Sequence, residues 1–220
     1  MSLHRLSVVS LSLALLPIAA QAQQGVAVGG GIGTTGVHIE GQVRVSDHFV
    51  FRGGYEALKV DHDQTLDDIR YSGEIDSGVF SVFWQYHPMA SPLFVTGGAL
   101  LGDRSLTMGA EPTAPVTVGS QTFTPSQIGR LEGRADLGDV APVVALGWDN
   151  TFHGTGLGVR LMAGVAVGRE PDVTLASIGG SLSSDPTLQA ELREEEANLE
   201  DAIRDLRFYP VAQLALTYRF

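Results

Sequence analysis

The chain has 220 residues, a length that suits a single domain, and its 14 basic and 25 acidic side chains give a formal net charge of −11. This acidic balance argues against nucleic acid as a partner. The sequence contains no cysteine, which excludes disulfide bonds, thiolate catalysis and cysteine-ligated zinc.

The N-terminus has the features of a secretory signal peptide. His4 and Arg5 form a short basic region, and an uncharged, mostly apolar segment follows it. Ala20 and Ala22 then form a small-x-small motif, which predicts cleavage after residue 22. A membrane anchor is the alternative, but the apolar segment is short for a helix that spans a bilayer.

Removal of residues 1–22 leaves a mature domain of residues 23–220. This domain loses Arg5 and no acid, so its 13 basic and 25 acidic side chains give a charge of −12. No run of about 18 apolar residues remains in it, so no membrane-spanning helix is predicted. A chain that crosses lipid without helices must form a closed barrel, because every backbone polar group needs a partner there.

Apolar and polar residues alternate in several segments of the mature domain. In residues 36–45, the clearest segment, Val37 and Ile39 lie on one face. His38 and Glu40 lie on the other. This alternation predicts an all-β fold with eight antiparallel strands. The predicted strands are residues 26–32, 36–45, 49–59, 77–86, 93–104, 139–149, 157–167 and 208–220.

The predicted connections alternate in length. The short ones are residues 33–36, 46–48, 87–92 and 150–155, and the long ones are residues 61–75, 105–138 and 169–207. Transmembrane barrels show this asymmetry, with short turns on one side and long loops on the other. The even strand count places both termini on the side of the short turns, and the turn at 33–36 is then unusually short for an external loop.

Cross-strand register gives a second test of this arrangement. The expected pairs are Val45 with Phe49, Arg44 with Val50, Gln42 with Arg52, His38 with Glu56, Tyr86 with Leu93 and Trp148 with Leu157. Each alignment joins faces of the same polarity, and a slip by one residue would destroy the match.

Two kinds of barrel satisfy the alternation. A water-soluble cup of the lipocalin kind would place the apolar face inside, and a transmembrane barrel would place it outside. Small and ionic residues share the polar face, and an eight-stranded interior has little room, which favours the transmembrane barrel. Aromatic residues also lie near the strand ends, as in interfacial belts. They are Phe49, Trp84, Tyr86, Trp148, Tyr218 and Phe220 at one end and Tyr55 and Phe208 at the other.

The C-terminal residues carry a family resemblance. Gln213, Ala215, Tyr218 and Phe220 resemble the C-terminal β-signal that the bacterial barrel-assembly machinery reads, with alanine where glycine is usual. Residues 23–220 as a whole resemble the small outer-membrane β-barrel proteins, a group that includes the transmembrane domain of outer-membrane protein A. The resemblance implies an eight-stranded antiparallel transmembrane up-and-down β-barrel in the outer membrane of a Gram-negative bacterium. It also implies assembly by that machinery, contact with outer-membrane lipid and lipopolysaccharide, and a monomeric state.

The polar face predicts a charged barrel interior. The expected network comprises Glu40, Arg44, Arg52, Glu56, Arg104, Asp149, Arg160 and Arg219. Arginine suits such a place because its guanidinium stays charged and binds carboxylates through two donors at once. A lumen plugged by ion pairs is favoured over a gated ion path, because side chains about fill an eight-stranded interior.

The first long loop is rich in acidic residues. Asp61, Asp63, Asp67 and Asp68 surround His62. Their spacing is similar to that of a calcium loop, but the glycine and the late bidentate glutamate of such a loop are missing. A solvated loop that faces lipopolysaccharide and its divalent ions is favoured over a metal site, and no cofactor is expected.

The last long loop contains a helical pattern. Ser184 or Asp185 is suited to cap a helix that has Pro186 at its first position. Leucine and isoleucine recur at helical spacing through residues 186–207, and acids fill most of the remainder. We therefore expect an amphipathic helix there. A helix folded over the barrel mouth is favoured, and a partner-binding element is the alternative.

These features predict a structural or envelope role in which external loops make the interactions. A narrow channel or conduit for small or hydrophobic solutes is the alternative. A lipid-modifying enzyme ranks third, because His48, His87 and His153 lie in short turns and no outward strand position pairs a histidine with a serine. No catalytic residue is assigned.

Overall fold

The fold consists mostly of antiparallel strands. The computed structural model describes residues 25–66, 69–154 and 156–220, so the predicted signal peptide with Ala20 and Ala22 lies outside the described residues. Within these ranges the strands are β1 (Val26–Gly33), β2 (Gly36–Arg44), β3 (Phe49–Leu66), β4 (Ile69–Tyr86), β5 (Leu93–Pro112), β6 (Val116–Val118), β7 (Gln121–Phe123), β8 (Gly129–Asp136), β9 (Val140–Asp149), β10 (Leu157–Val167), β11 (Asp172–Gly179) and β12 (Phe208–Arg219). The α-helices are α1 (Pro125–Ile128) and α2 (Pro186–Ile203), and 3-10 turns cover Pro88–Ala90 and Arg204–Arg207.

Eight of the strands close into a ring. β1 pairs with β2, and the order continues through β3, β4, β5, β9, β10 and β12. β12 pairs in turn with β1, and every neighbouring pair is antiparallel. These are the eight strands that the alternation predicts, so the eight-stranded barrel is confirmed.

The two faces of the ring strands have opposite polarity. On β2, Val37 is 62% and Ile39 69% exposed, whereas His38 and Glu40 are buried. Val144, Leu157 and Leu216 are among the other large apolar side chains that are more than half exposed. The apolar face therefore points outward, as in a transmembrane barrel and opposite to a water-soluble cup.

The strand register agrees with the prediction at one turn and differs at two. The pairs of Arg44 with Val50, Gln42 with Arg52 and His38 with Glu56 are all present. Tyr86 lies opposite Val95 rather than Leu93, and Trp148 lies opposite Leu161 rather than Leu157. The errors are shifts by two and by four residues. Since strand side chains alternate with period two, these shifts keep every side chain on its predicted face.

Three ring strands continue beyond the ring and form an external sheet. β3 and β4 have 18 residues each and β5 has 20. β8 pairs with the far part of β5, and β11 pairs with β8. We call these far parts of β3, β4 and β5, together with β8 and β11, the external sheet. The prediction of loops at 61–75, 105–138 and 169–207 is therefore wrong in part, because each of them contains residues of paired strands.

Helix α2 confirms the expected helix in the last long loop. It has 18 residues and is followed by the 3-10 turn, so the helical region ends at Arg207. The carboxylate of Asp185 caps it by accepting hydrogen bonds from the backbone N–H groups of Thr187 and Leu188. No helix within residues 25–66, 69–154 and 156–220 is both long and apolar enough to cross a membrane.

Candidate functional site

An ionic cluster occupies the middle of the barrel interior. Glu40 of β2 lies between two arginines, Arg52 of β3 and Arg160 of β10. Arg52 Nη1 lies 3.0 Å from Glu40 Oε2, and Arg160 donates through Nε to Oε1 at 3.0 Å and through Nη2 to Oε2 at 2.5 Å. All three side chains are at most 1% exposed. One carboxylate thus joins strands that are far apart in the sequence.

Gln213 of β12 links this cluster to a second carboxylate. Its side-chain oxygen accepts hydrogen bonds from Arg52 at 3.3 Å and Arg160 at 3.2 Å, while its Nε2 donates to both oxygens of Glu56 at 3.0 and 2.9 Å. The hydroxyl of Thr35 also donates to Glu56. Two arginines and two glutamates therefore balance in charge, and the amide of Gln213 serves both signs at once.

The other side of the interior is apolar. Its largest members include Phe83 of β4, Phe94 and Leu100 of β5, and Met162 of β10, all of them buried. The guanidinium of Arg52 lies 4.1 Å from the centre of the Phe83 ring, and its Nη2 lies 3.4 Å from the sulfur of Met162. Arg52 therefore joins the ionic and apolar halves, and a cation–π contact in a buried place is favourable.

Four residues of the expected network lie outside this cluster. Arg104 is buried at the far end of the ring, where it donates to the hydroxyl of Tyr209 and to the carbonyl oxygen of Gly138 at 2.6 Å. Asp149, at the opposite end, accepts a hydrogen bond from the backbone of Thr151 at 2.8 Å. These two residues face inward as expected, and Asp149 lies opposite Arg160 on the neighbouring strand, but neither forms an ion pair with a residue of the central cluster among the described contacts.

Arg44 and Arg219 also lie at strand ends. Arg44 forms an ion pair with Asp47 in the adjacent turn, with 2.8 Å between Nη2 and Oδ1. Arg219 donates to the carbonyl oxygen of Phe152 at 3.3 Å. The sequence expectation of one network of eight residues is therefore corrected to a central cluster containing Glu40, Arg52, Glu56 and Arg160, with four residues placed separately.

The four residues of the C-terminal pattern divide between the two faces. Gln213 and Ala215 point inward and are buried, and Tyr218 and Phe220 point outward with 49% and 68% of their surface exposed. The rings of Tyr218 and Phe220 meet edge to face with 5.5 Å between their centres. Two aromatic side chains therefore project from the outer surface at the end of the last strand.

Helix α2 lies against the external sheet. Leu188 and Leu192 are buried against Phe123 of β7 and Ile128 of α1, and Leu131 of β8 and Leu175 of β11 pack against the same cluster. Glu191 accepts a hydrogen bond from the backbone N–H of Ser120 at 2.6 Å. The N-terminal half of the helix is thus fixed by an apolar contact and by a carboxylate bound to a backbone donor.

The acidic segment of β3 and the turn histidines are the candidates for a metal site. Asp61, His62 and Asp63 are exposed on β3, and the other two aspartates of that segment lie outside the described residues. No group of three or more histidine, aspartate or glutamate side chains suited to a metal ion occurs in the described part of the chain. Burial lowers the pKa of His87, whose ring lies 6.3 Å from that of His153.

Solved structures of two Acinetobacter baumannii proteins are among those that resemble this chain. The crystal structure of CarO2 from Acinetobacter baumannii superposes with a TM-score of 0.61 and 20% sequence identity, over 89% of this chain and 98% of that one. This chain therefore shares its fold with CarO2. CarO from the same organism gives a TM-score of 0.58 and 18% identity, over 91% of this chain and 100% of that one. No family model and no curated protein matches the sequence, so the likeness to CarO and CarO2 establishes the fold and leaves the function to the geometry.

Proposed function

We propose that this chain is an integral outer-membrane barrel of a Gram-negative bacterium, that its interior is closed to ions, and that its external sheet and helix α2 bind other molecules. The single observation that carries the proposal is the contact of Arg52 with Glu40 on one side and Phe83 on the other. Side chains of opposite character meet there in the middle of an eight-stranded ring, whose interior is just wide enough for side chains to fill.

The outer surface supports insertion into lipid. Ring strands such as β10 and β12 have 11 and 12 residues, and about 9–11 tilted residues cross a bilayer. Aromatic pairs lie at both ends of the apolar face. The ring centres of Phe49 and Tyr86 are 5.3 Å apart at the end with the short turns. Those of Tyr55 and Phe80 are 5.1 Å apart toward the external sheet. Such residues anchor a barrel at the two membrane interfaces.

Biogenesis and surroundings follow from the same proposal. The outward Tyr218 and Phe220 support recognition by the barrel-assembly machinery, and the apolar belt supports contact with membrane lipid. The exposed Asp61 and Asp63 lie beyond that belt, at the level expected for lipopolysaccharide and its divalent ions. We propose a monomer without cofactor or catalytic residues.

Conductance of the purified protein in planar bilayers tests the closed interior. We expect no discrete openings from the wild-type protein. The double variant Arg52→Ala and Phe83→Ala removes the two stacked side chains, and we expect it to show openings. Phe80→Ala is the matched control, since Phe80 lies on β4 like Phe83 but is 62% exposed on the outer face. We expect this variant to show no openings. Openings in the wild-type protein would contradict the closed interior.

A narrow conduit for small solutes is the second candidate function. It is favoured by buried polar atoms that have no hydrogen-bond partner among the described residues, which include Ser81 Oγ, both amide atoms of Gln85 and Arg160 Nη1. Buried polar groups of this kind commonly form hydrogen bonds to ordered water, and ordered water inside the barrel would mark a polar path. Swelling of proteoliposomes in small neutral solutes distinguishes the candidates, because a closed barrel gives the same rate as protein-free liposomes.

A further inference from the structure

Helix α2 and the external sheet border a partly open apolar cavity of about 340 Å³. The roof comes from the C-terminal half of the helix, where Leu199 and Ile203 line the space. The floor includes Leu106 of β5, Leu131 of β8 and Leu175 of β11. Pockets of about 300–1,000 Å³ with mostly apolar walls and a few polar groups are the usual form of small-molecule sites.

The cavity is held open by two features of the sequence. Its floor contains the small residues Ala110, Gly133 and Ala135, which leave space where larger side chains would fill it. Its roof is fixed at the side by hydrogen bonds from the backbone N–H groups of β11 to carboxylates of the helix. The helix therefore does not settle onto the floor, and the lining atoms lack the contacts that a filled interior would give them.

The charge around the cavity is predominantly negative. Helix α2 contains six acids and one base. Glu195, which lines the cavity, has no ion-pair partner among the residues that the structure describes. Arg134 also lines it, but this side chain borders a polar recess that contains Glu74, Asp76 and Asp103. Glu74 is ion-paired with Lys59 at 2.6 Å, so Asp76 and Asp103 are the two carboxylates of that recess that can offset the charge of Arg134, and Glu195 adds a further negative charge.

We propose that this cavity binds a small hydrophobic molecule that carries one positive charge, with its apolar body beneath Leu199 and Ile203 and its cationic group at Glu195. The apolar walls exclude a strongly hydrated ligand, and the acidic surroundings disfavour an anion. The proposal names a ligand class for the external sheet and helix, and it therefore rests on the binding role given above and not on the closed interior.

Binding of three probes with the same chain and different head groups tests the ligand class. The probes are hexylammonium, 1-hexanol and hexanoate, measured by equilibrium dialysis against the full mature protein in lipid nanodiscs, with the uptake of empty nanodiscs subtracted. We expect hexylammonium to bind most tightly and hexanoate least, with a difference of about tenfold or more between them. Equal binding of all three probes, or tighter binding of hexanoate, would overturn the assignment.

Matched variants locate the site. Leu199→Trp fills the cavity and is expected to weaken hexylammonium binding about tenfold, whereas Leu206→Trp, at a position that is 49% exposed and outside the lining, is expected to leave it unchanged. Glu195→Gln keeps the shape and should bring hexylammonium down to the level of hexanol, and Glu194→Gln should not. Unchanged binding in both Leu199→Trp and Glu195→Gln would overturn the site. If the probes do not bind as expected and the wild-type protein shows no bilayer conductance, the proposed ligand is contradicted and the closed interior is not. If the probes bind as expected and the wild-type protein shows discrete openings, the closed interior alone is contradicted.

Discussion

The backbone N–H of Leu175 donates a hydrogen bond of 2.7 Å to the side-chain carboxylate of Glu196. One turn later on the helix, Glu200 accepts from the backbone N–H of Val173 at 3.0 Å. Residues four apart on a helix therefore satisfy donors two apart on β11, the edge strand of the external sheet. An edge strand with free donors invites pairing with other chains, and here helix α2 covers part of it.

The first prediction concerns these two carboxylates. The double variant Glu196→Ala and Glu200→Ala removes both acceptors, each of which contributes about 1.5–3 kcal/mol because the acceptor is charged. We expect the amides of Val173 and Leu175 to exchange with solvent at least about tenfold faster, while the barrel keeps its heat-modifiable migration in gels. Glu194→Ala is the control, since Glu194 is exposed. Unchanged exchange in the double variant would refute the docking role.

The second prediction concerns the pH dependence of the helix cap. Hydrogen bonds from the backbone N–H groups of Thr187 and Leu188 lower the pKa of Asp185 from its ordinary value of 3.8. Because the folded-state pKa is lowered, the stabilisation is complete above the ordinary value and is lost as the pH falls through the folded-state pKa. Amide proton shifts of Thr187 and Leu188, followed by NMR from neutral pH to about pH 2, should therefore report fraying only in acid.

Two substitutions at position 185 separate this effect from general acid unfolding. Asp185→Asn retains an acceptor oxygen and should cap the helix without the acid transition. Asp185→Ala should fray the first turn at every pH. An identical acid transition in the asparagine variant would contradict the assignment to Asp185.

The third prediction compares a buried arginine with a half-buried one whose ion-pair partner is exposed. Arg160→Gln removes three hydrogen bonds to Glu40 and Gln213 and leaves Glu40 with one arginine, so it should lower the free energy of unfolding by about 3–5 kcal/mol. Arg44→Gln breaks the pair with Asp47, whose side chain is 79% exposed, and should cost under about 1 kcal/mol. Urea unfolding in lipid vesicles measures both values. Similar losses in the two variants would argue against a structural role for the central cluster.

The fourth prediction concerns assembly. Deletion of Phe220 should reduce the amount of inserted barrel in cells, because the terminal aromatic is proposed to be both recognition signal and interfacial anchor. Phe208→Ala is the control, since Phe208 is an outward aromatic at the other end of the same strand and is 50% exposed. We expect this control to insert normally. Heat-modifiable, protease-resistant barrel at wild-type levels in the Phe220 deletion would contradict the signal.

The facing of the ring strands was predictable because it depends only on period two. The partner of Trp148 was not predictable, because a shift by four residues, from Leu157 to Leu161, still pairs apolar faces with apolar faces and polar with polar. The alternation therefore does not distinguish the two registers. The turn after β9 instead contains side-chain contacts, such as Asn150 Oδ1 with the backbone N–H of Val159 at 2.7 Å. Such contacts set the register, and alternation does not reveal them.

The apolar half of the interior was missed for a related reason. Phe83 lies between Ser81 and Gln85 on the polar face of β4. A large aromatic residue at such a position was the sequence feature that could have indicated an apolar region inside the barrel.

The glycines of β1 weaken the alternation of apolar and polar residues in that strand, but the structure requires a small residue there. A Cβ at Gly31 would clash with the backbone carbonyl oxygen of Leu214 and would lie 2.8 Å from Cε1 of His38, so glycine allows the close approach of β12 and of this interior side chain.

The external sheet could not be found by alternation. Asp61, His62 and Asp63 follow one another on β3, so both faces of that strand are polar and no period appears. Pairing with β4 forms the strand, since Asp61 lies opposite Glu74 and Asp63 opposite Ser72. Backbone hydrogen bonding to a neighbour, rather than burial of one face, determines the structure there.

The fifth prediction tests which face of the ring meets lipid, and it uses two adjacent residues of β10. Leu161 is 48% exposed on the outer face, and Met162 is buried beside Arg52. In a membrane, Leu161→Arg should cost about 2–4 kcal/mol of unfolding free energy, since it places a charge in hydrocarbon. In a water-soluble barrel the same change would be nearly neutral, because the side chain would meet solvent.

Met162→Arg is the inward control. It adds a third guanidinium beside Arg52 and Arg160, so its cost arises from repulsion and lumen packing and does not depend on bilayer thickness. Urea unfolding in vesicles of short and long acyl chains distinguishes the two costs, and a Leu161→Arg protein as stable as the wild type in both would rule out the outward apolar face as a lipid contact.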